Sequence, residues 1–177
     1  VVMAVLFTFV WPYAQAGINA LGGFIRSAGN FGLFIYGTLE RLLIPTGLHH
    51  LVYTPFLYTS LGGTATVGGQ VLEGARNIYY AEIADPSVAV LSQSVIWDAR
   101  GISKMFGLIG ACLAMYQTAR PENREKIKPV LITAAVTSFI AGVTEPIEFS
   151  FLFVAPILFV VHAVLAGSSF VVRNLLG

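Results

Sequence analysis

Long apolar stretches, separated by short polar or proline- and glycine-containing interruptions, run along most of this chain. A helix needs about 20 mostly apolar residues to span a bilayer. The clearest such segment is Phe149–Val172, which has no charged residue and one ionisable group, His162. Pro156 is expected to bend this helix. Val1–Leu21, with a predicted kink at Pro12, is the second predicted span.

Other apolar segments are interrupted or too short for a full span. Pro129–Val143 and Met105–Tyr116 have lengths that favour broken or re-entrant helices. Phe31–Ile44 and Leu48–Leu61 form a further pair of apolar segments, which the tripeptide Pro45–Gly47 separates. This pattern predicts an all-α integral membrane protein, a multi-span helical bundle that contains broken or re-entrant helical hairpins.

Two polar connections differ in character. Gln117–Pro129 is basic and lies between apolar segments, so the positive-inside rule predicts a cytoplasmic loop there. A solvated connection in a soluble helical bundle is the alternative, which the apolar flanks disfavour. Leu61–Pro86 is rich in glycine and then polar. It is long for a turn, and we expect it to pack over a site or to gate it.

Composition supports the membrane interpretation. Hydrophobic residues make up 56% of the 177 residues and charged residues 11%, against roughly 25% charged in soluble domains. A net charge of +1 argues against nucleic-acid binding, which needs a concentrated basic patch. Cys112 is the single cysteine, so it forms no disulfide framework and is predicted to be a packing residue. Since the sequence begins and stops in apolar segments, we expect an internal piece of a larger membrane protein.

The segment Gly142–Phe149 places two carboxylates between strongly apolar stretches. Charges at membrane depth are costly and are usually functional. Gly142 is suited to end one helix and Pro146 to begin the next. This arrangement predicts Glu145 as the N-cap and Glu148 as the third helical residue. Capping alone would explain Glu148, whereas glutamate is a poor N-cap, which favours a functional role for Glu145.

A second break lies in Glu40–His50, where Pro45 and Gly47 stop a helix and two histidines begin the next segment. Imidazoles can donate hydrogen bonds or exchange a proton near neutral pH. Adjacent helical residues diverge by about 100°. We therefore expect one of His49 and His50 to face the site and the other to pack. A metal site is disfavoured, because no cysteine or aspartate lies close by in the sequence.

The two breaks together indicate a transporter binding site, and their chemistry suits a sugar or another polyol. Carboxylates accept hydrogen bonds from hydroxyls, whereas arginine and histidine donate them. Arg41 needs an ionic partner, either Glu40 or a site carboxylate. Aromatic residues could provide stacking platforms, and these include Tyr53, Phe56, Tyr58, Trp97 and Phe106.

The segments Glu40–His50 and Gly142–Phe151 resemble the two signature motifs of the membrane (IIC) component of bacterial phosphotransferase-system sugar permeases. The branch is the glucose, maltose and N-acetylglucosamine superfamily, which Ala119–Arg124 also resembles. Within it, Gly74–Ile78 and Ala84–Pro86 are more similar to the maltose/α-glucoside permeases than to the glucose permeases.

The resemblance covers nearly all of residues 1–177 and implies the C-terminal, sugar-binding portion of a IIC domain. The implied protein is a multi-pass component of the bacterial inner membrane. It carries a sugar inward by an elevator-like movement, and a phosphocysteine on a cytoplasmic IIB domain phosphorylates that sugar. The implied partners are the sugar, the IIB domain (fused or separate), membrane lipid and a second copy in a homodimer. No cofactor is implied.

The resemblance also implies roles for individual residues. Glu145 would hold the hydroxyl that is phosphorylated and act as its general base, and His49 would bond near that hydroxyl or the incoming phosphoryl group. Arg41 and Thr144 would complete or orient the site. The full set of candidate substrate-binding residues is Arg41, His49, His50, Thr144, Glu145 and Glu148, of which Glu145 and His49 are the catalytic candidates.

This chain departs from a complete permease in two respects. No cysteine lies in a IIB-type phosphorylation motif, and the early helices of the scaffold and dimer region are missing, so the segment alone is expected neither to accept phosphate nor to transport. Three alternatives stay open: a proton-coupled sugar transporter that does not modify its substrate, a glucose- or N-acetylglucosamine-specific permease, and a sensor or structural membrane protein with a degenerate site.

Overall fold

The computed structural model describes residues 2–176, so Val1, at the start of one predicted span, and Gly177 lie outside the described residues. Eight α-helices and one two-stranded antiparallel sheet occur in this range. The helices are α1 (Val2–Ser27), α2 (Gly29–Leu42), α3 (His49–Tyr58), α4 (Ala75–Ala84), α5 (Leu108–Thr118), α6 (Pro121–Ala141), α7 (Glu145–Leu152) and α8 (Pro156–Leu176), and the strands are β1 (Thr64–Val67) and β2 (Gln70–Glu73).

Two of these helices, α1 and α8, are long and apolar enough to cross a membrane. The prediction of one bent helix over Phe149–Val172 is wrong, because the chain leaves the helical conformation after Leu152 and resumes it at Pro156. Proline lacks an N–H and disfavours the helical conformation of the preceding residue. Pro156 therefore begins a helix here, whereas Pro12 lies inside α1 without ending it.

The predicted basic loop Gln117–Pro129 is also wrong for most of its length, because α6 begins at Pro121 and continues through Pro129. Proline in the first turn loses no hydrogen bond, which allows Pro121 to start the helix. The helix ends at Ala141, so the predicted apolar segment Pro129–Val143 is the second part of a longer helix. A π-helical stretch, Ile102–Gly107, leads directly into α5.

The connection Leu61–Pro86 contains ordered structure that the sequence analysis did not predict, namely the β1–β2 hairpin and α4. Gly68 and Gly69 form the two-residue turn of the hairpin, with φ of 57° and 81°. Positive φ at both turn positions is the geometry of a type I′ hairpin, which glycine adopts without steric cost. The all-α fold class is therefore correct except for this small sheet.

The helices α2 and α8 form the central packing contact of the fold. Gly37 and Gly167 allow the two backbones to approach closely: a Cβ built on Gly37 would lie 2.9 Å from Cα of Gly167. Small residues permit such contacts between helices in membranes. Beside this contact the buried ring of Tyr36 meets Phe56, Trp97 and Phe170 edge-on, at centroid distances of 5.0, 5.3 and 5.3 Å.

A second apolar cluster packs α5, α6, α7 and α8 together. Cys112 is 5% exposed within it, which confirms its predicted packing role. The other buried members are Leu108, Ala134, Ile147, Phe151 and Phe159. This cluster fixes α7 against α8, and the position of α7 determines where the carboxylates of the predicted site lie.

Candidate functional site

A cavity of about 480 Å³ lies where the start of α3, the start of α7, the end of α2 and the π-helical stretch meet. This volume is within the range of small-molecule sites. The polar side chains that line it are Glu40, Arg41, His49, His50, Tyr53, Arg100, Lys104, Thr144 and Glu145. The two sequence breaks, which are about a hundred residues apart in the chain, therefore line one cavity, and five of the six predicted site residues are among its lining residues.

The break before α7 begins at Gly142, which ends α6 as the sequence predicts. Gly142 ends α6 in the left-handed conformation, with φ of 69°. The predicted capping register is wrong by one residue, because Thr144 precedes the helix and Glu145 is its first residue. The carboxylate of Glu145 accepts a hydrogen bond from the backbone N–H of Thr144, at 2.9 Å. Glu145 is half-buried at the cavity wall.

Glu148 does not cap the helix but forms a buried ionic contact. Its Oε1 accepts a hydrogen bond from Arg41 Nη1 at 2.8 Å, and the exposed fractions of the two side chains are 0% and 2%. The same oxygen lies 3.0 Å from Nε2 of His162 on α8. The site carboxylate predicted as one of two possible partners of Arg41 is thus Glu148. In the described structure Glu148 lies outside the cavity lining.

Arg41 also contacts the residue that precedes α7. Its Nη1 donates to Oγ1 of Thr144 at 3.3 Å. Through these two bonds a guanidinium from α2 holds the first turn of α7 in place. A charge-assisted bond to a buried carboxylate is among the stronger hydrogen bonds in proteins.

Both histidines line the cavity, so the prediction that one of them packs away from it is wrong. They are the first two residues of α3, and their rings lie 4.2 Å apart between centroids. His50 Nδ1 shares a hydrogen bond with the hydroxyl of Tyr53. Nδ1 of His49 is buried and has no partner within residues 2–176.

Of the aromatic residues considered as platforms, Tyr53 alone lines this cavity within the described range. Phe56 and Trp97 are buried in the core around Tyr36. Tyr58 accepts a hydrogen bond from Arg76, and Phe106 lines a separate apolar groove.

The sequence analysis missed an ionic network at the cavity wall that joins Glu40 to Arg100, Asp98 and Arg76. Arg100 donates to Glu40 at 3.2 Å and to Asp98 at 2.9 Å, and Arg76 donates to both carboxylate oxygens of Asp98 at 2.9 Å. Burial opposes ionisation of Asp98, but the bonds from Arg76 and Arg100 outweigh it, and the pKa of Asp98 is lowered from its ordinary value. The sequence did offer a signal for these residues, because Asp98 and Arg100 lie just before the apolar segment Met105–Tyr116.

Lys104, also missed, lies on the π-helical stretch at the cavity wall. Its Nζ donates to the carbonyl oxygen of Gly142 at 2.9 Å, and Ser138 Oγ donates to its backbone carbonyl at 2.7 Å. A lysine at this position satisfies a carbonyl at the end of α6 and interacts favourably with the helix dipole.

Several polar atoms around the cavity have no partner among the described residues. They include Glu40 Oε2, Arg41 Nη2 and His49 Nδ1. Buried polar atoms in native proteins nearly always have hydrogen-bond partners, so each such atom requires an explanation. The unpaired set contains hydrogen-bond acceptors and donors together.

Comparison with known proteins gives a consistent result. The family described as "Phosphotransferase system, EIIC" matches residues 1–167. The chain is 47% identical over 171 residues to the PTS system maltose-specific EIICB component of Escherichia coli K12, covering 95% of this chain. It is 44% identical over 177 residues to the PTS system alpha-glucoside-specific EIICB component of Klebsiella pneumoniae, covering 94% of this chain.

A glucose-specific relative is similar at a lower level. The PTS system glucose-specific EIICBA component of Staphylococcus carnosus is 40% identical over 176 residues. The chain spans 32%, 30% and 26% of the length of these three relatives, in the order given.

Proposed function

The chain belongs to the phosphotransferase system EIIC family, and we propose from that premise that its cavity binds the sugar in a permease that couples transport to phosphorylation. The proposal rests on one observation. Two separate helix breaks contribute to the lining of one cavity, and the lining residues from these breaks include Arg41, His49, Thr144 and Glu145. Maltose or another α-glucoside is the proposed substrate, because relatives at 47% and 44% identity are named for maltose and alpha-glucosides.

The proposed unit is the C-terminal, sugar-binding part of a IIC domain within a longer protein. The chain spans only about a third of relatives whose names include both IIC and IIB components. We accordingly propose a IIB domain as the phosphoryl donor and a multi-pass location in the bacterial inner membrane, with lipid around the apolar helices and a second copy completing a homodimer. The pairs α2–α3 and α6–α7 are the proposed broken hairpins.

In the proposed reaction, a sugar hydroxyl attacks the phosphorus of a IIB phosphocysteine. The P–O bond forms as the P–S bond breaks, the hydroxyl proton passes to the carboxylate of Glu145, and the cysteine leaves as a thiolate. His49 stabilises the transferring group or orients the attacking hydroxyl. Arg41 and Thr144 hold the first turn of α7, so that the Glu145 carboxylate is positioned before the sugar arrives.

Glu148 has a different proposed role from the one that its sequence position suggests. It is fully buried and bonded to Arg41 and His162. We therefore assign it to positioning Arg41 rather than to direct contact with the sugar.

A proton-coupled transporter would use the same carboxylate to take up unmodified sugar. The relatives' membership of the phosphotransferase system favours phosphorylation over this alternative. The two differ in their product, because phosphorylation yields a sugar phosphate and proton coupling yields free sugar.

The experiment is an uptake assay with the full-length permease that contains this chain, reconstituted in vesicles with phosphorylated IIB and radiolabelled maltose. We expect the internal label to be maltose phosphate and to require the phosphoryl donor. The Glu145→Gln variant is expected to abolish product, whereas the exposed control Glu122→Gln retains it. Internal free maltose driven by a proton gradient would overturn the proposal.

A further inference from the structure

Lys104 lies on the π-helical stretch and is half-buried at the wall of the cavity. Its Nζ donates a hydrogen bond of 2.9 Å to the carbonyl oxygen of Gly142, which lines the same cavity. A protonated lysine has three N–H donors. Among residues 2–176 the Gly142 carbonyl is the acceptor that this ammonium bonds, so two of its donors have no protein acceptor there.

The backbone of Lys104 is held in place, whereas its charge sits on a flexible stem. The hydroxyl of Ser138, a fully buried residue of α6, donates to the carbonyl oxygen of Lys104 at 2.7 Å. The N–H of Lys104 donates to the carbonyl oxygen of Arg100 at 3.2 Å. π-Helical segments are rare and are frequent at functional sites. A cation is thus presented to the cavity from a fixed backbone position.

The pairing of charges distinguishes Lys104 from the two arginines that line the cavity. Arg41 lies 2.8 Å from a carboxylate oxygen of Glu148, and Arg100 lies 3.2 Å from one of Glu40. Lys104 has no carboxylate oxygen within 4.0 Å in the described part of the chain, and its contact is a neutral carbonyl. Buried charges in proteins are normally paired. An unpaired ammonium at a cavity wall points to an anionic ligand.

The alternative explanation is that Lys104 only caps the end of α6. A cation there satisfies a carbonyl and interacts favourably with the helix dipole. However, a neutral amide side chain could donate the same hydrogen bond without the desolvation cost of a charge. Ser138 in addition already ties the π-helical stretch to α6. Capping therefore explains one hydrogen bond of Lys104 but not its charge.

The proposed reaction brings an anion to this cavity. A phosphoryl group carries about two negative charges near neutral pH. The carboxylate of Glu145 lies at the same cavity wall, and like charges at close range repel each other. Catalysis of phosphoryl transfer consists mainly of positioning and of electrostatic stabilisation of the transferring group. A cation that is not already neutralised by a carboxylate meets this requirement.

We propose that Lys104 is a catalytic residue that binds the phosphoryl group while it passes from the IIB phosphocysteine to the sugar. One N–H of the ammonium donates to a non-bridging phosphoryl oxygen, and another keeps the bond to Gly142. The sugar oxygen forms its bond to phosphorus as the P–S bond breaks. The cysteine leaves as a thiolate, the hydroxyl proton passes to Glu145, and Lys104 keeps all of its protons. This inference rests on the proposed function, because it assigns a further residue to the same reaction.

The test compares phosphoryl transfer with sugar binding in the full-length permease that contains this chain. Lys104→Gln can still donate to Gly142 but has no charge, whereas Lys104→Arg keeps the charge. Arg26→Gln is the matched control, because Arg26 also donates to a backbone carbonyl, that of Ser60 at 2.7 Å, but lies beside a different cavity. Single-turnover transfer from phosphorylated IIB to maltose, equilibrium maltose binding and thermal unfolding are measured for each variant.

We expect Lys104→Gln to slow transfer about 100-fold or more, the effect of removing one preorganised donor from a transition state. Maltose affinity and thermal stability should stay close to those of the unaltered protein. Affinity for the maltose phosphate that the unaltered permease forms should fall about tenfold, through loss of one hydrogen bond to a charged group. Lys104→Arg should transfer faster than Lys104→Gln, and Arg26→Gln should transfer at the unaltered rate.

Three results would overturn the inference. Transfer at the unaltered rate in Lys104→Gln would remove the residue from the reaction. Equal losses in Lys104→Gln and Lys104→Arg, with lowered thermal stability, would assign it to the end of α6 alone. A loss of maltose affinity as large as the loss of rate would make it a sugar-binding residue instead.

Product analysis separates this inference from the function on which it rests. If the unaltered permease forms maltose phosphate, Glu145→Gln abolishes it and Lys104→Gln does not slow it, the proposed function stands and the role of Lys104 is refuted. If the unaltered permease accumulates free maltose although phosphorylated IIB is present, the proposed function and the role of Lys104 both fail.

Discussion

The guanidinium of Arg41 and the carboxylate of Glu148 form a buried ion pair with an Nη1–Oε1 distance of 2.8 Å. The pair joins the end of α2 to α7 across more than a hundred residues of sequence. Because the same nitrogen of Arg41 also bonds Thr144, the pair fixes the helix start that presents Glu145 to the cavity. Removing Glu148 would leave the buried Arg41 guanidinium without this ionic partner, and removing Arg41 would leave Glu148 with His162 alone.

The first prediction separates the structural part of this pair from its functional part. Glu148→Leu is expected to destabilise the protein by about 3–5 kcal/mol, because Arg41 would keep an uncompensated charge. The double variant Arg41→Met with Glu148→Leu should recover most of that stability, since neither charge of this pair remains, but should not recover maltose binding. Thermal unfolding and maltose binding in detergent check both parts. A double variant as unstable as Glu148→Leu would refute the explanation.

A second prediction concerns His162, which was noticed in the sequence only as the single ionisable group of an apolar segment. Its Nε2 lies 3.0 Å from the Glu148 oxygen that Arg41 also bonds. His162→Leu is expected to weaken maltose binding by about 1–2 kcal/mol, through loss of one charge-assisted bond to Glu148.

The conservative variant and a control on the same helix distinguish positioning from packing. His162→Gln, whose amide can still donate, should restore most of the maltose affinity. Ser168→Ala should have no effect, because the hydroxyl of Ser168 bonds the carbonyl of Val164 within α8. Equal affinity in His162→Leu and the unaltered protein would remove His162 from the positioning network.

Much of this architecture could be predicted from the sequence, because helix breaks are local. Gly142 and Pro146 determine where α6 ends and α7 begins, and Pro45 and Gly47 do the same before α3. Side-chain chemistry at those breaks then identified five residues of the cavity. The helix bounds near Pro121 and Pro156 were predicted wrongly, because a proline can begin a helix as readily as it ends one.

The rest could not be predicted, because it depends on contacts between distant segments. Nothing near Glu40 in the sequence indicates that it pairs with Arg100 rather than Arg41. The buried contacts of Glu148 likewise come from distant segments, namely Arg41 on α2 and His162 on α8. The hairpin in Leu61–Pro86 was missed because its strands are four residues long and the glycines around it resemble those of a loop.

A third prediction tests the close approach of α2 and α8. A Cβ on Gly167 would meet the hydroxyl of Thr38 and lie 2.5 Å from the carbonyl oxygen of Phe34. Gly167→Ala is therefore expected to destabilise the protein by about 1–3 kcal/mol. Gly17→Ala on α1 is the control, because a Cβ there meets no atom within 4 Å. It should be neutral or slightly stabilising, and an equal loss in both variants would contradict the packing account.

The fourth prediction concerns the acid dependence of stability near Asp98. Its pKa is lowered in the folded protein, despite burial, by the bonds from Arg76 and Arg100. A depressed carboxylate pKa contributes stability that is present above the unfolded-state pKa of about 3.9 and is lost as the pH falls through the folded-state pKa. Asp98→Asn should therefore be less stable than the unaltered protein at pH 7, and this difference should shrink below pH 4. Thermal unfolding across that range checks it, and a constant difference would contradict the assignment.

The central claim is that the cavity between α3 and α7 is the sugar site. Equilibrium binding of labelled maltose to the full-length permease, with glucose and N-acetylglucosamine as competitors, tests it most directly. The account predicts saturable binding that α-glucosides displace, that Glu145→Gln abolishes and that the exposed control Glu122→Gln leaves intact. Maltose binding that survives Glu145→Gln unchanged would place the sugar elsewhere and contradict the account.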